Sequence, residues 1–187
     1  MLGRFVRSPR TIGAVSASSR ALACAMVAEL DLSGDSHVVE LGPGTGVVTR
    51  VIAEELGLQA RCLAIEIDPG FAKRLKGRFG KVDVVCGSAA YLPVLAKDYG
   101  FDRVDHIVSG LPFASLPAEV TTGILDAIEA VLRPGGTFTT FQYVHGFPSP
   151  LASGFRREMS RRLGAKPVRR LVWRNLPPAY VLGWRRP

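Results

Sequence analysis

Short apolar runs alternate with segments of helical spacing over much of the chain. The pattern predicts five strands, rich in apolar and β-branched residues, at His37–Leu41, Arg61–Ile67, Val82–Cys86, Asp105–Ser109 and Thr137–Tyr143. Helical spacing predicts three helices, at Thr45–Leu56, Phe71–Phe79 and Pro117–Leu132. Regular alternation of strand and helix predicts an α/β fold built on an open, mostly parallel sheet.

The pattern changes after Pro150. Phe155, Met159 and Leu163 lie four residues apart, which predicts a short helix that carries four arginines. Two apolar segments follow, Val168–Trp173 and Ala179–Trp184. Because their connection is too short for a parallel crossover, the sequence predicts that the sheet ends in an antiparallel hairpin.

The first predicted strand runs into a glycine turn, Glu40-Leu41-Gly42-Pro43-Gly44-Thr45-Gly46. Glycines let the backbone approach a ligand closely. A dinucleotide site has the spacing G-x-G-x-x-G and binds a pyrophosphate, which the Glu40 carboxylate would repel. The spacing here is G-x-G-x-G, and Glu40 suits a ligand with an amino group and a sulfonium, such as S-adenosylmethionine. A turn without ligand and a nicotinamide dinucleotide site are the alternatives.

A second acid, Glu66, lies twenty residues after Gly46, at the end of the second predicted strand. A carboxylate at this place accepts hydrogen bonds from the two ribose hydroxyls of a nucleoside. Strand, turn, helix and Glu66 together therefore favour a nucleoside-containing cofactor.

Three motifs resemble those of class I S-adenosylmethionine-dependent methyltransferases: Glu40-x-Gly42-x-Gly44-x-Gly46, Ile65-Glu66-Ile67-Asp68-Pro69 and Val85-Cys86-Gly87-Ser88-Ala89. The resemblance implies a Rossmann-like, mostly parallel seven-stranded sheet with a C-terminal antiparallel hairpin. In the third motif, Ser88 stands where the family usually has an Asp that binds the adenine amino group, and a hydroxyl can still accept that hydrogen bond. The cofactor contacts that the resemblance implies are Glu40, Gly42, Gly44, Gly46, Glu66, Ile67, Ser88, Ala89 and Ser109.

Other segments resemble bacterial phospholipid N-methyltransferases, which methylate phosphatidylethanolamine toward phosphatidylcholine. These segments are Arg7–Val15, Ser18–Ala23, Ser109–Phe113, Phe141–Tyr143 followed by Ser149-Pro150, and Asn175–Ala179. The resemblance implies N-methylation of phosphatidylethanolamine and its mono- and dimethyl forms at a membrane surface, and so a role in lipid metabolism.

Two alternative functions stay open. Leu111-Pro112-Phe113 also resembles ribosomal RNA adenine dimethyltransferases, which points to an RNA adenine N6-methyltransferase. However, Ser109-Gly110 replaces the amide side chain that grips adenine in those enzymes, and we expect no helical RNA-binding domain after the hairpin. The other alternative is a peripheral membrane protein that binds the cofactor without catalysis.

Candidate catalytic residues follow the fifth predicted strand. Methyl transfer to an amine is a direct displacement, which needs an unprotonated nitrogen and no metal. We predict that His145 accepts the amine proton, that Tyr143 orients the nitrogen and that Ser109 lines the transfer site; a packed aromatic and a loop histidine are the alternative. The predicted substrate contacts are Leu111, Pro112 and Phe113, which exclude water, and Arg174, Asn175 and Tyr180, which hold a lipid phosphate.

The net charge of +8 is concentrated at the two ends of the chain. Residues 150–187 carry ten basic residues against one acid, and residues 1–20 carry four arginines and no acid. Leu2, Phe5 and Val6 form an apolar stripe beside Arg4 and Arg7, which is typical of a segment that lies on an anionic membrane. We therefore expect residues 1–30 to form a basic, amphipathic segment over the cofactor site, and residues 31–187 to form the methyltransferase domain.

The remaining features indicate where the protein acts. Cys24, Cys62 and Cys86 lack metal-ligand spacing and are expected to be reduced. The apolar run Ala21–Ala28 is far shorter than the roughly 20 residues of a membrane span. We expect a cytoplasmic protein, peripherally bound to the inner face of the cell membrane, with an anionic membrane surface and a phospholipid as partners and nucleic acid as an improbable one.

Overall fold

A computed structural model describes residues 19–187, in which strands and helices alternate. The strands are β1 (His37–Leu41), β2 (Arg61–Glu66), β3 (Val82–Cys86), β4 (Val104–Ser109), β5 (Leu132–Tyr143), β6 (Val168–Val172) and β7 (Ala179–Arg185). The α-helices are α1 (Arg20–Val27), α2 (Val47–Glu55), α3 (Pro69–Leu75), α4 (Leu92–Asp98), α5 (Ala118–Val131) and α6 (Pro150–Leu163). Single turns of 3₁₀ helix lie at Ala89–Tyr91 and Val144–Gly146.

The strands form one sheet in the order β3-β2-β1-β4-β5-β7-β6. Strands β1 to β5 run parallel to their neighbours, whereas β7 is antiparallel to both β5 and β6. This confirms the predicted fold class, including the C-terminal hairpin. Strands β2 and β3 are added on one side of β1, and β4 and β5 are added on its other side, so the order of the strands reverses beside β1. In open α/β sheets, ligands bind outside the carboxyl ends of the strands at such a point.

Helices cover both faces of the sheet. One buried apolar cluster joins the sheet to α1, α2 and α3, and the other joins it to α4, α5 and α6. The two faces follow from alternation along the strands, since Val38 belongs to the first cluster and Val39 to the second. Trp184, in β7, is completely buried in the second cluster and donates its indole N–H to Ser160 Oγ at 3.0 Å.

Helix α1 lies within the predicted N-terminal segment and packs against α2 and β7. Ser19 caps it, since its hydroxyl accepts a hydrogen bond from the Leu22 N–H at 3.1 Å. Leu22 and Met26 are completely buried in the first cluster. Residues 20–27 are therefore part of the core, while the apolar stripe Leu2, Phe5 and Val6 lies outside the described residues.

Some boundaries differ from those that the sequence pattern predicts. Helix α2 begins at Val47, because Gly46 adopts a left-handed conformation (φ 81°) that ends the glycine turn. Helix α3 ends at Leu75 rather than near Phe79. The pattern does not predict α4, because this seven-residue helix buries only Leu92 and Ala96, too few positions to establish a helical period. None of the helices formed by residues 19–187 is long and apolar enough to span a membrane.

Candidate active site

Four side chains that the sequence singles out lie where parallel strands end. Glu66, Ser109 and Tyr143 are the last residues of β2, β4 and β5, and Glu40 is the penultimate residue of β1. The glycine turn follows β1 directly. Since β2, β1, β4 and β5 are parallel, these residues meet at one edge of the sheet, the carboxyl edge.

The glycine turn is held between β2 and the start of α2. The Gly42 N–H donates to Ile65 O at 3.0 Å, and the Gly46 N–H donates to Pro43 O at 2.9 Å. Gly44 has a φ of +54°, which favours glycine, and a Cβ added there would meet no atom of residues 19–187 within 4 Å. Within this part of the chain, the middle of the turn therefore presents bare backbone to an open space.

Glu66 connects the glycine turn to β2. Its Oε2 accepts a hydrogen bond from the Gly44 N–H, and its Oε1 accepts one from the Asp68 N–H, each at 2.9 Å. An ionised carboxylate oxygen accepts about two hydrogen bonds, so each keeps one acceptor position for a ribose hydroxyl. Ile67, the next residue, is 51% exposed and offers an apolar surface beside the carboxylate.

Glu40 lies beneath the glycine turn, on the face of the sheet covered by α2. It is 1% exposed, and among the described residues its Oε2 has no hydrogen-bond partner. Burial raises the pKa of this carboxyl to about 8; Thr49 opposes the rise and the nearby Glu66 charge adds to it. A positive charge above the turn would stabilise the ionised form of Glu40, which is what the amino and sulfonium groups of S-adenosylmethionine provide.

Ser88 and Ala89 follow β3 at the same edge. Ser88 caps the short 3₁₀ helix, because its hydroxyl accepts a hydrogen bond from the Ala90 N–H at 3.3 Å. The hydroxyl proton of Ser88 remains available for donation. The hydroxyl is therefore partly committed to the helix cap, and Ala89 is buried beside it.

The segment after β4 packs directly on the glycine turn. The Gly110 N–H donates to Leu41 O at 2.8 Å, and a Cβ added to Gly110 would lie 2.7 Å from Gly42 O. Ser109 is fully buried; its Oγ accepts a hydrogen bond from the Leu111 N–H at 3.2 Å, and its carbonyl accepts one from Thr140 Oγ1 at 3.0 Å. Ser109 thus fixes the backbone of the segment after β4. The sequence pattern does not indicate that Thr140, on β5, is its hydrogen-bond partner.

Of the three residues expected to exclude water, only Pro112 is exposed. Leu111 is half-buried, and its side chain is the group that a Cβ on Gly42 would meet, at 2.6 Å. Phe113 is buried and stacks on Phe155 of α6, with ring centroids 4.4 Å apart. Phe113 therefore anchors the segment in the second cluster, and Leu111 remains beside the glycine turn.

Tyr143 and His145 form a wall beyond the end of β4. Ser109 pairs with Thr140, so Tyr143 extends three residues further, about 10 Å at the usual rise of a strand. The His145 ring stacks on the Tyr143 ring, with centroids 5.6 Å apart and planes within 10°. Tyr143 is half-buried, and burial raises the pKa of its hydroxyl, which therefore stays protonated at neutral pH.

The three hairpin residues expected to hold a phosphate do not form one group. Asn175 is buried: its Oδ1 accepts a hydrogen bond from the Ser19 N–H at 2.9 Å, and its Nδ2 donates to Pro177 O at 2.7 Å. Tyr180 lies on the face of the sheet that α4, α5 and α6 cover, and its ring packs on Phe147 with centroids 4.7 Å apart. Arg174 is exposed. Asn175 therefore positions the start of α1 beside the hairpin turn.

A cationic cluster near Tyr180 is not foreseen from the sequence. The Arg156 guanidinium donates to Gln142 Oε1 at 2.6 Å and lies 3.8 Å from the centre of the Phe147 ring. Arg169 lies 4.9 Å from the centre of the Tyr180 ring. The helical spacing of Phe155 and Met159 gives the buried face of α6, but it does not reveal that Arg156 reaches back to β5.

Residues 38–136 match the family model described as a methyltransferase domain. A curated relative, the ornithine lipid N-methyltransferase of Singulisphaera acidiphila, is 36% identical over 140 residues, which are 73% of this chain and 73% of that protein. The chain belongs to the class I S-adenosylmethionine-dependent methyltransferases. Its cofactor is S-adenosylmethionine. Three features that the described residues leave available fit that molecule: the unpaired Glu40 oxygen, the open space at Gly44 and the free acceptor positions of Glu66.

Two further proteins resemble this methyltransferase. The 1,6-didemethyltoxoflavin-N1-methyltransferase of Burkholderia thailandensis, solved with S-adenosylhomocysteine, superposes with a TM-score of 0.67 at 20% identity, covering 97% of this chain and 85% of that one. The ribosomal RNA small subunit methyltransferase A of Thermotoga neapolitana is 38% identical over 76 residues, which are 41% of this chain and 28% of that protein. Within residues 19–187, no group of three or more His, Cys, Asp or Glu side chains is placed to hold a metal ion.

Proposed function

We propose that this methyltransferase transfers methyl groups from S-adenosylmethionine to the amine headgroup of a membrane lipid. The observation that carries the proposal is the similarity to the ornithine lipid N-methyltransferase, which extends over 73% of both chains. Phosphatidylethanolamine and its mono- and dimethyl forms, methylated toward phosphatidylcholine, are one candidate substrate set, and ornithine lipid is the other. Phosphatidylethanolamine and ornithine lipid each present a primary amine and a nearby anionic group at a membrane surface, so the enzyme would act as a peripheral protein at the inner face of the cell membrane.

The residues at the carboxyl edge suit transfer to an amine. S-adenosylmethionine supplies a methyl group on a sulfonium, and the acceptor nitrogen must be unprotonated and in line with it. A primary amine is mostly protonated at neutral pH, so the site must accept a proton. His145, exposed at the edge, accepts it directly or through a water. Tyr143, whose hydroxyl stays protonated, orients the nitrogen, and its ring face suits a methylated ammonium product.

RNA adenine methylation is the second candidate, supported by the partial match to the ribosomal RNA enzyme. Gly110 argues against it. An amide side chain in place of Gly110 would begin with a Cβ only 2.7 Å from the Gly42 carbonyl oxygen, which would force apart two backbone segments of the cofactor site. The close packing of these segments therefore disfavours the adenine-gripping side chain at this position.

The test is transfer of radiolabelled methyl groups by the purified protein to three acceptors in parallel. The acceptors are vesicles with phosphatidylethanolamine, vesicles with ornithine lipid, and ribosomal RNA. Label in a lipid extract supports the proposal, and the arm that carries it identifies the headgroup. Label in RNA alone overturns the proposal, and cofactor binding with no transfer in any arm supports a protein without catalysis.

A further inference from the structure

The hairpin turn between β6 and β7, residues 173–178, exposes two large apolar side chains. Trp173 is 72% exposed and Leu176 is 83% exposed, with Arg174 exposed between them. Burial among residues 19–187 therefore explains neither side chain. Large apolar side chains grouped at a protruding turn mark an interaction surface more often than single exposed ones do.

This turn adjoins the candidate transfer site. Tyr143 pairs with Ala179, the first residue of β7, and the Val144 N–H donates to Pro178 O at 2.9 Å. The wall formed by Tyr143 and His145 and the hairpin turn are therefore neighbours at the carboxyl edge. A partner surface that contacts Trp173 and Leu176 would therefore also face the candidate transfer site.

Basic side chains lie in the turn and on the strand that enters it. Arg174 belongs to the turn, Arg169 and Arg170 lie on β6, and residues 167–184 contain no acid. Residues 1–18 join the described chain at Ser19, whose N–H is bonded to Asn175 within the turn. The exposed Trp173-Arg174-Asn175-Leu176 tip is therefore bonded to the residue that directly follows a segment with three arginines and no acid in the sequence.

A lipid bilayer containing anionic lipid matches this combination. Tryptophan prefers the interface between water and hydrocarbon, leucine prefers the hydrocarbon, and arginine is attracted by anionic headgroups. RNA would match the positive charge, and a base could stack on Trp173, but RNA offers nothing apolar for Leu176. The pair of side chains therefore favours the membrane.

We propose that the hairpin turn is a membrane-docking element. Trp173 and Leu176 enter the interface of a bilayer, and Arg174 contacts anionic headgroups. In this orientation the transfer site faces the lipid amines. The inference rests on the proposed lipid substrate and specifies the surface by which the enzyme reaches it.

Tryptophan fluorescence tests the docking directly. The chain has two tryptophans, and Trp184 is completely buried, so it supplies a constant background. Vesicles of phosphatidylcholine and phosphatidylglycerol should shift the emission of the 187-residue chain to shorter wavelengths, and brominated acyl chains should quench it. Trp173→Phe should abolish both responses. Unchanged emission while the protein sediments with the vesicles, or a shift with ribosomal RNA alone, would overturn the proposal.

Leucine offers a matched pair of variants for measuring vesicle partitioning. Leu176→Ala should weaken partitioning about tenfold, as expected for losing most of one leucine side chain from an apolar environment. Leu58→Ala is the control, because Leu58 is 95% exposed and lies between α2 and β2, at the opposite edge of the sheet. Equal partitioning of the two variants would contradict docking through the turn.

Kinetics of the double variant Trp173→Ala/Leu176→Ala separate docking from catalysis. Its KM for lipid in vesicles should rise tenfold or more, while kcat/KM on a soluble, short-chain form of the same lipid stays at the wild-type value. An equal loss on both substrates would contradict a docking role. If the wild type inserts Trp173 but methylates no lipid, the proposed function fails and docking stands; if it methylates vesicle lipid while Trp173 stays in water, docking alone fails.

Discussion

Replacing Gly110 by alanine should damage the cofactor site through one added methyl group. The new Cβ would lie 2.7 Å from the Gly42 carbonyl oxygen, about 0.5 Å inside an ordinary contact. Both atoms belong to backbone segments, and the Gly110 N–H is also bonded to Leu41 O, so neither can move alone. Overpacking of this kind costs about 1–3 kcal/mol. A cost of about 2 kcal/mol, if it falls on binding, weakens S-adenosylmethionine affinity about 30-fold.

Isothermal titration with S-adenosylmethionine, together with thermal unfolding, measures both consequences of Gly110→Ala. Any part of the cost that falls on stability should lower the Tm by about 2–4 °C per kcal/mol for a chain of this size. Gly154→Ala is the matched control, because Gly154 lies inside α6 and, among residues 19–187, an added Cβ would meet no atom within 4 Å beyond the helix's own backbone. That variant should keep its cofactor affinity and gain about 0.5–1 kcal/mol of stability. Wild-type affinity and Tm in Gly110→Ala would refute the contact between the two segments.

The remaining predictions concern charge and proton transfer. Burial raises the pKa of Glu40 from 4.5 to about 8, so between these pH values the folded, cofactor-free protein keeps a proton that the unfolded chain loses. The free energy of unfolding of the wild type, relative to that of Glu40→Gln, should therefore fall as the pH rises from 4.5 to 8. Thermal unfolding at several pH values measures this difference. If cofactor binding ionises Glu40, titration near pH 7 in buffers of different ionisation enthalpy should detect proton release that is absent in Glu40→Gln. Glu66→Gln replaces one carboxylate oxygen by an NH₂ group, so a single oxygen is left to accept hydrogen bonds from the Gly44 N–H, the Asp68 N–H and the ribose. The affinity for S-adenosylmethionine should fall about tenfold or more. The control Asp83→Asn, at an exposed position of β3, should change the affinity little. His145→Ala should lower kcat about 100-fold at neutral pH and recover activity at alkaline pH, where the substrate amine loses its proton in solution; an unchanged pH profile would remove His145 from the proton path.

Local periodicity and spacing were sufficient to predict the features that depend on neighbouring residues. The strand before Gly42, the helix after Gly46 and the acid at Glu66 follow from patterns of a few residues each. The structure brings Glu66 into contact with Gly44 because parallel pairing of β1 and β2 places their carboxyl ends side by side. The fold class and the C-terminal hairpin are predictable for the same reason.

Contacts between distant residues were not predictable in this way. Asn175 binds the Ser19 N–H across 156 residues, and nothing near Asn175 in the sequence indicates that partner. Phe113 is drawn into the core by Phe155, which lies on a helix whose position depends on the whole sheet. The face to which Tyr180 points, in contrast, follows from alternation along β7, since Ala179 and Tyr180 must point to opposite faces.

The central claim is that this methyltransferase places a methyl group on the nitrogen of a lipid headgroup. The most direct measurement is mass spectrometry of lipids after incubation of the purified protein with vesicles and S-adenosylmethionine that carries a deuterated methyl group. The claim predicts a headgroup fragment heavier by one or more labelled methyl groups, with acyl fragments unchanged. Label on adenine in a parallel incubation with ribosomal RNA, and none in the headgroup fragment, would contradict it.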